Sequence, residues 1–204
     1  QAKIMAFVGS ESAPENKIWI TDQKLPFLDK LARFQFADNL RLLSMMNVKY
    51  LLTSFDFKPP LKKVFETRVT SSNIPVYIYE NPSVLPRVYF ANEVKFIGSD
   101  DEASFNELIA NPDFKKTTLI ECLTPQCIYS TSKPDPNDKL KVESIKSGYL
   151  RITTHSKYPR WLVYSESNLP TWEVYVQSAN SEGSKQPAKI YTANYLYQAI
   201  YVPP

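Results

Sequence analysis

The last third of the chain alternates apolar and polar residues with a period of two, in the runs 150–155, 161–164, 172–176 and 195–202. A period of two places successive side chains on opposite faces of a β-strand. Several short strands at this spacing are typical of an antiparallel sandwich or half-barrel. With 4 glycines and 16 prolines in the chain, its turns must rely on Pro, Asn, Asp and Ser. We therefore expect an antiparallel β-sandwich-like subdomain over residues 140–204.

The first 129 residues mix helical and strand patterns. Apolar residues recur at spacings of three and four between residues 26 and 46, which predicts a helix there. A shorter helix is predicted over 101–110, after a turn. Runs rich in β-branched and aromatic residues predict strands at 3–8, 17–21, 47–53, 61–69, 76–80, 87–96 and 117–121. We therefore expect a mixed α/β subdomain over residues 1–129, and an α+β fold class for the whole chain.

Residues 130–139 interrupt these patterns. The stretch contains two prolines and several turn-forming residues, and it has no large apolar side chain, which is typical of a linker. We expect it to join the two subdomains. The sequence starts at Gln1 without an initiator Met and ends at Pro204 in what resembles the middle of a hairpin. We therefore expect a piece of a longer protein, with the second subdomain truncated before its last strand.

Composition excludes several classes of function. The formal net charge is +3, and the 24 Lys and Arg residues are spread along the chain without a basic block, so we expect no nucleic-acid partner. The 4 glycines are isolated and form no phosphate-binding loop. His155 is the one histidine and cannot make a metal centre alone. We expect no cofactor and no metal. No run reaches the roughly 18 apolar residues that cross a bilayer.

Cys122 and Cys127 lie on either side of Pro125. Their spacing is too wide for a two-residue redox or zinc motif, and no second pair completes a set of four ligands. A small local disulfide and two free thiols both fit the sequence, because the sequence does not give the distance between the two Cα atoms. We favour the disulfide, which suits an oxidising compartment.

No set of residues has the pattern of a catalytic centre. Asp100 and Asp101 are adjacent carboxylates, and we interpret them as capping residues because acidic residues are favoured at helix starts. His155 lies on the polar face of a predicted strand and is expected to be exposed. Residues 130–133 match the Ser-x-x-Lys acylation motif, but Pro134 follows in a stretch that cannot supply the rigid helix start which this motif needs. We expect this part of the protein not to be an enzyme.

Aromatic residues concentrate in the final third of the chain. Flat rings stack on sugars, and their polar edges hydrogen-bond to hydroxyl groups. The candidate glycan-binding residues are Trp161, Trp172, Tyr175, Tyr195, Tyr197 and Tyr201. The last three share one predicted strand face, opposite the apolar residues, where we expect them to meet solvent. Two alternatives remain open, since aromatic residues also serve cross-strand packing and also rest against lipid headgroups.

Four stretches, in order along the chain, resemble signature stretches of the YfhO-type bacterial membrane proteins. Residues 43–52 and 78–89 resemble the first two. Residues 162–176 resemble a strand, a turn and a second strand, and residues 193–204 resemble the stretch before a final turn and strand. The chain departs from the family at Thr171, where the family has Gly before Trp.

This resemblance implies a multi-pass membrane protein related to glycosyltransferases that use lipid-linked sugars and glycosylate cell-envelope polymers. In that architecture the acidic catalytic residues lie on an external loop near the first membrane helices, and that loop is not in this chain. The chain would be a soluble extracytoplasmic region at the C-terminal side, with the transmembrane part of the parent protein as its partner. The activity of the full-length protein is left open.

Two functions of different class follow. In the first, the chain is a non-catalytic accessory domain that contacts an envelope glycan or positions the transmembrane region. In the second, it is a structural or protein-interaction module of the envelope and has no ligand. A stand-alone hydrolase is a third class, and it requires a cleft with paired carboxylates.

Overall fold

The computed structural model describes residues 40–54, 56–57, 59–122, 134–178 and 185–204. Strands predominate among these residues, which confirms the β-rich character expected from the sequence. The mixed α/β N-terminal subdomain is not confirmed, because the described ranges contain only two helices and the elements expected before residue 40 lie outside them. The chain divides into two compact units, one ending at Leu85 and the other spanning Pro86–Pro204.

The first unit contains a short helix and a three-stranded antiparallel sheet. Among the described residues its elements are α1 (Leu40–Met45), β1 (Tyr50–Thr53), β2 (Lys62–Arg68) and β3 (Pro75–Glu80). β3 is the central strand, and β2 is exposed along its whole length. Leu43, Val48, Leu51 and Tyr79 form the buried core. The buried Asn81 side chain donates to Val48 O at 3.0 Å and so fastens the loop after α1 to the end of β3.

The second unit contains one helix and ten strands among the described residues. They are β4 (Val88–Phe90), β5 (Glu93–Ile97), α2 (Asp101–Ala110), β6 (Thr117–Glu121), β7 (Lys139–Lys146), β8 (Tyr149–His155), β9 (Arg160–Ser167), β10 (Val174–Val176), β11 (Gln186–Ala188), β12 (Ile190–Ala193) and β13 (Tyr197–Val202). Six of the strands form a sheet with the order β4-β9-β13-β12-β6-β5. β5 and β6 are parallel and are connected through α2, whereas the other pairs are antiparallel. The pairs β7–β8 and β10–β11 form separate two-stranded sheets.

The two edge strands of the six-stranded sheet are consecutive in the sequence. β4 ends at Phe90 and β5 begins at Glu93, so three Cα steps keep these edges within about 11 Å of each other. In a flat six-stranded sheet the edges would be about 24 Å apart, because neighbouring strands are separated by about 4.8 Å. The sheet must therefore curl. The prediction of a single strand over 87–96 is wrong, because the chain turns a corner at Ala91 and Asn92 and continues at the opposite edge of the sheet.

Aromatic rings fill the inside of this curled sheet. Trp161 on β9 meets Tyr201 on the neighbouring β13 and Tyr191 on β12, with ring centroids 5.4 and 5.1 Å apart. It also meets Phe96 on β5 at 5.9 Å, although β5 is four places away from β9 in the sheet. All three contacts are edge to face, and such pairs contribute about 0.5–1.5 kcal/mol each beyond burial of their area. The contact with Phe96 exists only because the sheet is curled.

The β7–β8 hairpin covers part of the outer face of the curled sheet. Apolar residues of both sheets form this contact, and they are Val88, Leu162 and Tyr164 on the curled sheet with Leu140, Leu150 and Ile152 on the hairpin. Exposure alternates residue by residue along β8, as the sequence pattern predicted, because only one face of the hairpin is covered. β9 is buried on both faces over its first five residues.

Residues 130–139, which we expected to link two subdomains, lie between strands of the same sheet. β4, β5 and β6 precede this stretch and β9, β12 and β13 follow it, yet all six strands are in the curled sheet. The composition of a stretch indicates a turn, but it does not tell which strands pair across it. The compact units instead divide between Leu85 and Pro86. Within the described part of the stretch, Asp138 N donates to Asp135 O at 2.9 Å and closes a turn.

A buried ion pair fixes this turn to the curled sheet. Arg160 Nη1 lies 3.4 Å from Asp138 Oδ2, and the two side chains are 3% and 8% exposed. Arg160 Nη2 donates to Ala91 O at 2.9 Å, at the corner between the two edge strands. Asp138 Oδ1 accepts from Ser156 Oγ at 2.5 Å. The pair therefore joins the turn before β7, the start of β9 and the corner.

Replacing Arg160 with Leu is expected to destabilise the second unit, because it leaves the buried Asp138 carboxylate without its cation. Removing one partner of a buried ion pair costs about 3–5 kcal/mol. The free energy of unfolding in urea measures the effect. Arg151→Leu is the matched control, since Arg151 is exposed on β8 and a surface substitution usually changes stability by less than about 0.5 kcal/mol. Equal losses in the two variants would contradict this role of the pair.

Candidate functional site

Three of the six aromatic candidates line the inside of the curled sheet. Trp161 and Tyr197 are 2% and 7% exposed, and Tyr201 is half-buried. Tyr201 lies directly opposite Trp161 across β13 and β9, so this face of β13 points into the curl. The expectation that it meets solvent is not met, because the alternation along one strand does not show which face the rest of the sheet encloses. A sugar ring cannot reach Trp161 or Tyr197 without displacing the side chains that cover them.

Tyr195 lies in the turn between β12 and β13 and not on the strand face that we predicted. Asn194 and Tyr195 have φ angles of 46° and 74°, as in the two-residue turns of many hairpins. A left-handed backbone is strained for a bulky residue. Two contacts with α2 hold Tyr195 in place, because its hydroxyl donates to Asp101 and its ring meets Phe105 edge-on with centroids 5.8 Å apart.

Trp172 and Tyr175 lie near β10, away from the inside of the curl. Tyr175 is 55% exposed and donates its hydroxyl to Glu173 Oε2 at 3.0 Å. This hydrogen bond to the Glu173 carboxylate raises the pKa of Tyr175. Trp172 is half-buried, and its ring stands perpendicular to that of Tyr164 with centroids 6.3 Å apart. Tyr175 is thus the candidate that offers the largest fraction of its surface to a ligand.

A polar network inside the curl was not anticipated from the sequence. Asn194 Oδ1 accepts from Leu119 N at 2.9 Å, and Asn194 Nδ2 donates to Tyr89 Oη at 3.2 Å. Tyr89 also hydrogen-bonds to Thr118 across the curl, and burial raises the pKa of Tyr89 to about 12. Burial likewise raises the pKa of Tyr197. These phenols are therefore neutral at pH 7, and the network satisfies polar groups inside the sheet.

Two carboxylates approach each other at the carboxyl end of β6. Burial raises the pKa of Glu121, a hydrogen bond with Thr192 opposes the rise, and the charge of Asp101 adds to it. Carboxyl ends of parallel strands are common positions for ligand sites in α/β proteins. Sequence reasoning missed this pair because Asp101 and Glu121 are distant in the chain and meet only through the β5–α2–β6 crossover. Both carboxylates have protein partners, since Asp101 accepts from Tyr195 and Glu121 bonds with Thr192.

The remaining candidates for chemistry have structural surroundings. Among the described residues, no three His, Cys, Asp or Glu side chains converge as in a metal site. Asp100 caps α2 by accepting from Ala103 N at 2.8 Å, which is the role that we inferred from the sequence. His155 is exposed at the end of β8. Ser165 Oγ is buried without a hydrogen-bond partner, and a serine nucleophile needs a base within reach. Residues 130–133, with the Ser-x-x-Lys pattern, lie outside the described residues.

Cys122 follows β6 directly and is disulfide-bonded. The other cysteine of the chain, Cys127, lies outside the described residues. Cys122 N donates to Ile97 O at 2.8 Å, which extends the pairing of β5 and β6 by one residue. The bonded cysteine is therefore anchored to the edge of the curled sheet.

Comparison with known proteins identifies no relative, since no family model, no curated protein and no solved structure matches the chain. Neither of the two helices in the described ranges has the length and apolar character needed to span a bilayer. The function of the chain must therefore be inferred from its own side chains.

Replacing Tyr89 with Phe is expected to lower stability at pH 8 by about 1–3 kcal/mol, because Asn194 and Thr118 lose a buried hydrogen-bond partner. The raised pKa of Tyr89, about 12, adds a pH dependence. The Tyr89 phenol has a pKa of about 10 in the unfolded chain, so between about pH 10 and the folded pKa only the folded state keeps the proton. The contribution of this phenol to stability is therefore fully present below about pH 10 and falls as the pH rises towards the folded pKa.

The measurement is urea unfolding of wild type and Tyr89→Phe at pH 8 and at pH 11. The loss of stability between the two pH values should be smaller in the variant, because one buried ionisable phenol is gone. Tyr149→Phe, at a tyrosine that is 50% exposed, is the matched control. An unchanged pH dependence in Tyr89→Phe would show that this network does not contribute to alkaline unfolding.

Proposed function

We propose that the chain is a non-catalytic, extracytoplasmic accessory module of a YfhO-type, glycosyltransferase-like membrane protein involved in cell-envelope glycosylation. The observation that carries the non-catalytic part is the engagement of its reactive side chains in the fold. Asp101 and Glu121 already bond with Tyr195 and Thr192, and Asp138 is buried against Arg160. General acid–base catalysis needs a group that is within reach of the substrate proton.

The bonded state of Cys122 supports the extracytoplasmic address. Disulfides persist in oxidising compartments and are rare in the cytosol of mesophiles. The four stretches that resemble the YfhO-type proteins support the family assignment. In this proposal the transmembrane part of the parent protein is the partner of the chain. The β7–β8 hairpin, which packs on the outer face of the curled sheet, is the sandwich-like part of the fold.

Two roles remain within this proposal, and different observations favour them. Contact with an envelope glycan is favoured by the exposure of Tyr175 and the half-exposed ring of Trp172. A structural or protein-interaction role without a ligand is favoured by the use of Trp161, Tyr197 and Tyr201 for packing inside the curl. If a glycan binds, we expect it near β10 and not at β13.

Labelling in intact cells tests the address. In Cys122→Ser the remaining Cys127 has no partner in the chain. We expect a membrane-impermeant maleimide to label the full-length variant from outside intact cells, and to label the wild-type protein only after reduction. The double variant Cys122→Ser with Cys127→Ser is the control for labelling at any other position. If the variant reacts only after lysis, the extracytoplasmic assignment is wrong.

Glycan titration separates the two roles. With a panel of envelope glycans, the accessory-domain role predicts shifts of tyrosine and tryptophan NMR signals that disappear in Tyr175→Ala. Tyr158→Ala is the matched control, because Tyr158 is also exposed, at 44%, but is distant from β10 in the chain. Absence of any shift across the panel would support the structural role. Shifts that persist in Tyr175→Ala would contradict a site at β10.

A further inference from the structure

The β7–β8 hairpin carries a surplus of positive charge. Residues 139–155 contain four of the 24 Lys and Arg residues of the chain and one of its 21 Asp and Glu residues. This surplus of three cations equals the formal net charge of +3 for the whole chain, so the charges of the remaining residues cancel. The sequence pattern hid this surplus, because the cations are separated by apolar residues and form no run.

The cations lie on the face of the hairpin that points away from the curled sheet. Leu150 and Ile152 turn inward to the apolar contact, and the residues between them are exposed. The exposed charged and aromatic side chains of the hairpin are Lys139, Lys141, Lys146, Tyr149, Arg151 and His155. The one acidic side chain, Glu143, bonds with Lys141 at 3.0 Å, and this contact lowers the pKa of Glu143.

The tip of the same hairpin exposes two large side chains, Ile145 and Tyr149, which are 49% and 50% exposed. Tyr149 pairs with Lys146 and shares the face of the cations, whereas Ile145 pairs with Leu150 and lies on the other face. Lys146 pairs with Tyr149 across the tip, and Gly148 makes the turn between them with φ of 68°. Cations flanking exposed aliphatic and aromatic side chains are the combination that binds at the headgroup layer of an anionic bilayer.

We propose that the tip of the β7–β8 hairpin docks onto an anionic lipid bilayer. The Lys146 and Arg151 side chains are attracted to the anionic surface, while Ile145 and Tyr149 enter the headgroup layer from the two faces of the tip and lose contact with water. A soluble polyanion would use the cations alone and would leave Ile145 in water. The exposed apolar side chains at the tip are therefore what favours a bilayer over a polymer.

This inference rests on the proposed function only for the nearness of a membrane. Its test uses the purified 204-residue chain and lipid vesicles, and the test of the address uses labelling in cells. A chain that binds vesicles but faces the cytosol would refute the address alone. A chain that faces outward but ignores vesicles would refute the docking surface alone.

The experiment is co-flotation of the chain with vesicles of phosphatidylglycerol and phosphatidylcholine in equal amounts, and with vesicles of phosphatidylcholine alone. We expect binding to the anionic vesicles and none to the neutral ones. Lys146→Gln with Arg151→Gln should weaken the binding roughly 30-fold, since it removes two cations near the surface. Ile145→Ser with Tyr149→Ser should weaken it roughly tenfold, because less apolar area enters the headgroup layer.

Matched controls remove the same chemistry elsewhere in the chain. Lys115→Gln with Lys116→Gln removes two exposed cations after α2, and Val69→Ser with Ile74→Ser removes two apolar residues that are 43% and 49% exposed. Both should leave vesicle binding unchanged, and circular dichroism checks that every variant folds. The proposal fails if the wild-type chain does not bind anionic vesicles, if a control variant loses binding equally, or if the Ile145 and Tyr149 variant binds as the wild type does. Binding to polyphosphate that depends on the cations alone, without vesicle binding, would assign the surface to a soluble polyanion instead.

Discussion

The link of two residues between β4 and β5 is the constraint on which the second unit depends. Strands at opposite edges of a six-stranded sheet cannot be joined by Ala91 and Asn92 unless the sheet curls. Once the sheet curls, its inside has to be filled, and Trp161 fills it by touching rings on both near and distant strands. Arg160 then stabilises the corner, because its guanidinium group donates to Ala91 O and pairs with the buried Asp138 carboxylate. The aromatic content of the final strands is thus largely a consequence of this closure.

Local elements of the fold were predictable, and long-range pairing was not. The helix over 101–110 and the strand over 117–121 were predicted to the residue, because the capping bond of Asp100 and the short β-branched run are local signals. The alternating exposure of β8 was also predicted. The corner inside residues 87–96 was missed, since a run of strand-forming residues looks the same whether it stays in one strand or changes edge. No local pattern states that β4 pairs with β9.

For the candidate site, too, the sequence shows which residue types are present but not where they lie in the fold. Counting aromatic residues predicted a site in the final third of the chain, but only the partner strands decide which rings face water, and they enclose Trp161 and Tyr197 while leaving Tyr175 outside. Tyr195 differs for another reason, because its neighbours on α2 hold it in a turn conformation that its side chain disfavours. The cationic surface of the β7–β8 hairpin was not predicted from the sequence either. Cations at alternate positions of two strands form no block in the sequence, yet the pairing of β7 and β8 assembles them on one surface.

The two-residue connection between β4 and β5 also determines how accessible the edges of this sheet are to strands of other chains. A free strand edge offers unpaired amide and carbonyl groups to any passing strand, and open edges are where proteins associate side by side into aggregates. In the curled sheet the two edges are joined by a two-residue corner and lie within about 11 Å of each other there, which limits the room for an incoming strand. Among the residues that the structure describes, the three-stranded sheet of the first unit has no such arrangement, because β1 and β2 are its edges and β2 is exposed throughout. In one unit the backbone path itself therefore protects against unwanted pairing, whereas the exposed β2 of the other carries charged side chains along its length.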